Sequence, residues 1–110
     1  MDASPQHEPE INKLFRLATK HGASDLCLRV GSAPLLKLRG VDRLTDLRPL
    51  TQQDLERLVS PILHADQRQR LGLGEKVDFT YAVEEGVAYR VGVSREGGQL
   101  SLSARRLAFG

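Results

Sequence analysis

Three runs of alternating apolar and polar residues follow one another between Val77 and Arg105, and no other feature of the sequence restricts the fold as much. Val77, Phe79, Tyr81 and Val83 alternate with Asp78, Thr80 and Ala82; Val87, Tyr89, Val91 and Val93 alternate with Ala88, Arg90 and Gly92; Leu100, Leu102 and Ala104 alternate with Ser101, Ser103 and Arg105. A period of two sends successive side chains to opposite faces of a strand, so each run has one face to bury. Glu84-Glu85-Gly86 and the stretch from Arg95 to Gly98 supply turn residues between the runs. The pattern predicts a three-stranded antiparallel meander.

A second β signal lies between His21 and Gly40. Leu26, Leu28 and Val30 alternate with Asp25, Cys27 and Arg29, Gly31-Ser32-Ala33-Pro34 breaks the run, and Leu35 to Leu38 resumes it. Two strands and a short connection are the economical reading, and the remaining elements are expected to pack against this hairpin. Val41 to Arg48 adds a short edge strand before Pro49.

Helical spacing governs the rest. Ile11, Leu14, Phe15 and Ala18 recur at i, i+3, i+4 and i+7 and predict a helix ending near Gly22. Thr51 is placed to cap the amide of Asp54, Leu50 and Leu55 to form a hydrophobic staple, and Leu55, Leu58, Val59, Ile62 and Leu63 to form a buried stripe. Pro61 lacks an N–H and breaks that stripe into two pieces, with Ser60 expected to cap the second. Ala65 to Leu71 continues as a short helix stopped by Gly72-Leu73-Gly74. Residues 1–10 are expected to be a flexible N-terminus, and residues 11–107 one α+β domain with helices segregated from an antiparallel sheet.

Composition sets limits on function. A net charge of +2 with acidic residues scattered among 16 Lys plus Arg argues against a nucleic-acid partner. No apolar run is long enough for direct membrane insertion, and the lone Cys27 forms no intrachain disulfide, so a cytoplasmic setting is expected. His7, His21 and His64 lack metal-ligand spacing, so no metal site is expected.

The residues able to carry chemistry lie on the meander. If Val91 and Leu102 face the core, alternation sends Arg90 and Arg105 together to the opposite face, opposite or within about one rung of each other. Asp78 or another carboxylate would then neutralise them. Alternatively the pair forms an anion site, with Thr80, Ser101 and Ser103 adding hydroxyl donors around a phosphate. Gly72-Leu73-Gly74-Glu75-Lys76 has the wrong spacing for a phosphate loop, and Val77 stands where a Mg²⁺-binding hydroxyl would be needed. The chain alone is therefore not expected to be an enzyme. A nucleophilic Cys27 is the remaining catalytic reading, and a buried thiol the simpler one.

Taken in order, Gly22-Ala23-Ser24-Asp25-Leu26, Gly31, Pro34 and Gly40, Leu50-Thr51, Gln67-Arg68, Val77-Asp78-Phe79-Thr80-Tyr81, Tyr89-Arg90-Val91 and Ala104-Arg105 carry a resemblance. The chain resembles the N-terminal domain of PilT-like type IV pilus retraction ATPases, within the type II/type IV secretion ATPase superfamily, over about Ile11 to Arg106. The resemblance implies a PAS-like antiparallel sheet with helices packed on one face, joined in complete members to a RecA-like ATPase domain that this chain lacks. It implies a hexameric ring, packing on the RecA-like domain of the same or a neighbouring subunit, and arginines directed toward the nucleotide phosphates. Arg90 and Arg105 match two such arginines. ATP and Mg would then belong to the parent ATPase, with no cofactor in this chain. Cys27 stands where the family usually has His, Gly92 where it has Asn, and Ala88 replaces an earlier arginine. The alternative reading is a stand-alone PAS-like adaptor that binds a protein partner or a small ligand.

Overall fold

The computed structural model describes residues 8–107. Helix α1 (Asn12–Lys20) leads into β1 (Asp25–Arg29), β2 (Leu35–Leu38) and β3 (Val41–Leu44). Helix α2 (Gln52–Val59), a 3-10 turn (Ser60–Ile62) and α3 (Ala65–Gly72) come next, and β4 (Val77–Glu84), β5 (Val87–Glu96) and β6 (Gln99–Arg106) complete the chain. The strands form one antiparallel sheet in the order β3-β2-β1-β6-β5-β4, and the three helices cover one of its faces, as expected of an α+β domain.

The position of β6 is what joins the two halves. It pairs with β5 through a hairpin whose turn is Gly97-Gly98, both at positive φ, and on its other side with β1 from Asp25↔Arg105 to Arg29↔Ser101. The core therefore centres on β1, β6 and β5 rather than on the β1–β2 hairpin. The reason is patterning: Leu26, Leu28, Val91, Val93, Leu102 and Ala104 are buried beneath the helices, whereas every residue of β3 is exposed and β2 buries only Leu36. At about 25 cal/mol per Å² of apolar surface, burial draws the helices over the long strands and leaves the short ones as a margin.

Helix α1 lays Ile11, Phe15 and Ala18 on this core, with Phe15 against Tyr81 and Tyr89 at ring centroid separations of 5.4 and 4.8 Å. Tyr89 is buried, and its hydroxyl lies 2.8 Å from Thr19 Oγ1, so its polar end is satisfied. Helix α2 begins with the predicted reciprocal cap: Asp54 N–H donates to Thr51 Oγ1 at 3.0 Å and Thr51 N–H to Asp54 Oδ2 at 2.9 Å. Pro61 does interrupt the helix, but Ser60 does not cap the second piece. Its carbonyl accepts from Leu63 N–H and from Arg68, and α3 starts later, with His64 N–H donating to Gln67 Oε1 at 2.8 Å.

Residues 1–7 of the expected flexible terminus lie outside the described residues. Just after them, Glu8 pairs with Arg16, which also reaches Glu84 at 3.0 Å, and Glu10 accepts from Arg57 at 2.9 Å. The Arg16 guanidinium, helped by the Asn12 amide, holds the Glu8 carboxyl down at about 2.

Candidate functional site

The sheet face turned away from the helices is built of rungs, because residues opposite one another on antiparallel strands share a face. One rung crosses all the strands and is polar throughout: Asp42, Lys37, Asp25, Arg105, Arg90 and Thr80. Arg90 and Arg105 are directly opposed and both exposed. The two-residue turn that closes at Glu96↔Gln99 makes every second pair up the ladder a hydrogen-bonded one, which puts the two Cα atoms about 5.5 Å apart.

Two guanidinium groups at that spacing repel, and the register decides what offsets them. Arg105 Nε lies 3.4 Å from Asp25 Oδ2 across the β1–β6 ladder. Asp78, the carboxylate named from the sequence, stands one rung away opposite Gly92. Sequence alternation alone does not bring Asp25, Lys37 and Asp42 into the site, because the pairing of β1 with β6 is set by burial at long range, not by a local turn. Strand alternation at Asp25 was the available signal. Arg90 makes no ion pair among the described residues.

The hydroxyls separate in the same way. Thr80 shares the rung of Arg90, and Ser103 lies on the next rung between Cys27 and Gly92. Ser101 is four residues from Arg105, about 14 Å along the strand, and its hydroxyl lies 3.0 Å from that of Ser94. It belongs to another part of the face.

Gly92 keeps the centre of the face low. A Cβ there would come within 3.0 Å of Asp78 Oδ1 and 3.3 Å of Lys76 Cε, so these two side chains cross over a position that has none. Beside it, depressions of about 430 Å³ and 370 Å³ flank Cys27 and Arg29, and no histidine lines either. Burial pushes the Cys27 thiol up, which keeps it protonated near neutral pH and works against a nucleophilic role.

Comparison with known proteins decides which family this architecture represents. No family model matches the sequence. The type IV pilus retraction ATPase PilT of Pseudomonas aeruginosa is 30% identical over 82 residues, which is 74% of this chain and 24% of that protein. The crystal structure of the pilus retraction motor PilT with bound ADP superposes with a TM-score of 0.81 at 27% identity, over 91% of this chain and 29% of that one. Sequence and fold together place the chain with the N-terminal domain of PilT-like secretion ATPases.

The ATPase DotB of Legionella pneumophila shares the fold, with a TM-score of 0.77 at 20% identity over 88% of this chain and 28% of that one. The chain thus spans about a quarter of the length of the PilT-like relatives it matches. Among the described residues, no helix is long and apolar enough to cross a membrane.

Proposed function

We propose that this chain is the non-catalytic N-terminal module of a hexameric pilus or secretion ATPase of the cytoplasm, which helps assemble the ring and lends Arg90 and Arg105 to a composite nucleotide site. One observation carries this reading: the two arginines matched to the family stand opposite each other on the face no helix covers. Two guanidinium forks about 5.5 Å apart at the backbone can both reach the oxygens of one polyphosphate. Their repulsion, only partly offset by an Asp25 contact on a side chain that is 74% exposed, favours an arriving anion. Thr80 and Ser103 lie within reach of the same group, and the RecA-like domain of the parent would supply the phosphate loop and hold Mg.

Half a site binds weakly. Calorimetric titration of the chain with MgATP is expected to give a Kd of about 1 mM or weaker, abolished by Arg90→Ala and by Arg105→Ala. Micromolar affinity that survives both substitutions would overturn the composite-site reading. Reading the source gene past Gly110 tests the modular part: a downstream phosphate loop supports it, and a stop codon favours the stand-alone adaptor.

A further inference from the structure

The opposite margin of the sheet carries a second kind of surface. Val41, Leu44 and Leu47 are 53, 64 and 46% exposed, and they gather on or just beyond the edge strand β3, every residue of which is open to solvent. On the helix side of this edge runs a depression of about 330 Å³ whose floor is Leu17, Leu36, Leu38 and Leu47, with Arg43 and Asp46 on its rim. Past Leu38 it continues into one of about 530 Å³ lined by His21, Arg39, Val41 and Arg43. The groove is therefore mainly aliphatic toward Leu47 and gains Arg39 beside Arg43 toward the β2–β3 turn.

The edge also offers unpaired backbone. Leu38 and Val41 close a two-residue turn, so they form a bonded pair and the N–H and C=O groups of Asp42 and Leu44 point away from β2. Within that turn Arg39 sits at φ 53°, the sole non-glycine at positive φ among the described residues, in a position that Asn or Gly would occupy more cheaply. Arg39 is among the residues lining this end of the groove.

A second copy of the chain does not suit this edge. Two-fold antiparallel pairing centred on Asp42 sets Asp42 against itself, and centring on Arg43 sets Arg43 against itself. Centring on Leu44 opposes Asp42 to Asp46, and centring on Val41 opposes Arg43 to Arg39. Each of these four registers, the ones centred within β3, juxtaposes like charges, which works against self-pairing.

We propose that β3 accepts a seventh strand from a different protein: an extended segment whose helix-side face carries acidic side chains beside Arg39 and Arg43 and aliphatic side chains over Leu47. Main-chain bonds to Asp42 and Leu44 give affinity, and the two ends of the groove give direction and selectivity. The site lies three strands from Arg105 and does not depend on the arginine pair.

The test uses the full chain, labelled with ¹⁵N, and capped peptides Thr-Glu-Thr-Glu-Thr-Leu-Thr-Leu in both sequence directions, each with a lysine-for-glutamate counterpart. One direction of the glutamate peptide should bind at least about tenfold tighter than its counterpart, and the Asp42 and Leu44 amides should exchange at least about tenfold more slowly in the complex. Asp42→Pro removes an outward donor that the fold does not use and should abolish binding with the rest of the spectrum retained. Arg43→Glu, which leaves Arg39 facing a new carboxylate, should erase the preference for the glutamate peptide, which keeps the test decisive if the proline variant does not fold. Equal binding of the charge variants, unchanged exchange at Asp42 and Leu44, or no shifts up to about 5 mM peptide would overturn the proposal. So would concentration-dependent self-association that protects the same amides without peptide.

Discussion

Arg105 stands directly between Arg90 on β5 and Asp25 on β1, so one guanidinium is shared between a like charge and an opposite one on the same rung. Asp25 Oδ2 is 3.4 Å from Arg105 Nε, and Arg105 is 74% exposed, so solvent screens the pair. Asp25→Asn is expected to cost about 0.5 kcal/mol or less at low salt, with the difference vanishing at high ionic strength. Arg90→Ala should leave stability unchanged or raise it by a few tenths of a kcal/mol, because an opposed like charge is removed. Urea unfolding at two salt concentrations checks both.

The cap on α2 yields a pH prediction. Backbone and hydroxyl hydrogen bonds from Thr51, with the Arg57 guanidinium at 2.9 Å, hold the Asp54 carboxyl down at about 2. A carboxyl depressed by folding stabilises the native state above its unfolded value, about 3.9, and the contribution is lost as pH falls from there through about 2. Unfolding midpoints measured from pH 6 to about 2 should therefore fall less steeply in Asp54→Asn than in the native chain. Thr51→Ala at neutral pH should cost about 1 kcal/mol.

Tyr89 joins the helix layer to the sheet. Phe15 lies against its ring at 4.8 Å, and Thr19 Oγ1 meets its hydroxyl at 2.8 Å. Phe15→Ala should cost about 3–5 kcal/mol, enough to unfold a small domain, and Tyr89→Phe about 1 kcal/mol for the lost hydrogen bond to Thr19, whose hydroxyl still donates to the Phe15 carbonyl at 2.9 Å. Chemical denaturation gives both values, and a small effect of Phe15→Ala would contradict the packing described.

Gly92 permits the crossing of Lys76 and Asp78, yet both of those side chains are exposed and free to swing aside. Gly92→Ala should stabilise the strand by roughly 0.5 kcal/mol through reduced freedom of the unfolded chain. A loss of more than about 1 kcal/mol would mean that the crossing is held in place.

Much of this fold is legible in the sequence because its signals are local. Alternation from Val77 to Arg105 marks three strands, and the Thr51 and Asp54 pair marks the start of α2. Gly97 and Gly98 close a tight turn, so counting residues on either side places Arg90 near Arg105. The features that escape depend on distant parts of the chain. The choice of β1 as the other neighbour of β6 is made by burial of Leu26 and Leu28 beside Ala104 and Leu102, and no short stretch encodes it. For that reason Asp25, rather than Asp78, is the carboxylate that meets Arg105. The cap of α3 escapes for a different reason: the Gln67 side chain does locally what Ser60 was expected to do.

Nε–Hε resonances of the arginines, followed by NMR as pyrophosphate is added to the intact chain, test the shared-anion claim most directly. The account predicts that the Arg90 and Arg105 signals move together and saturate with one common Kd, and that replacing either by alanine leaves the other's signal unmoved by pyrophosphate. Signals that stay still while other arginines respond, or that titrate independently of each other, would contradict it.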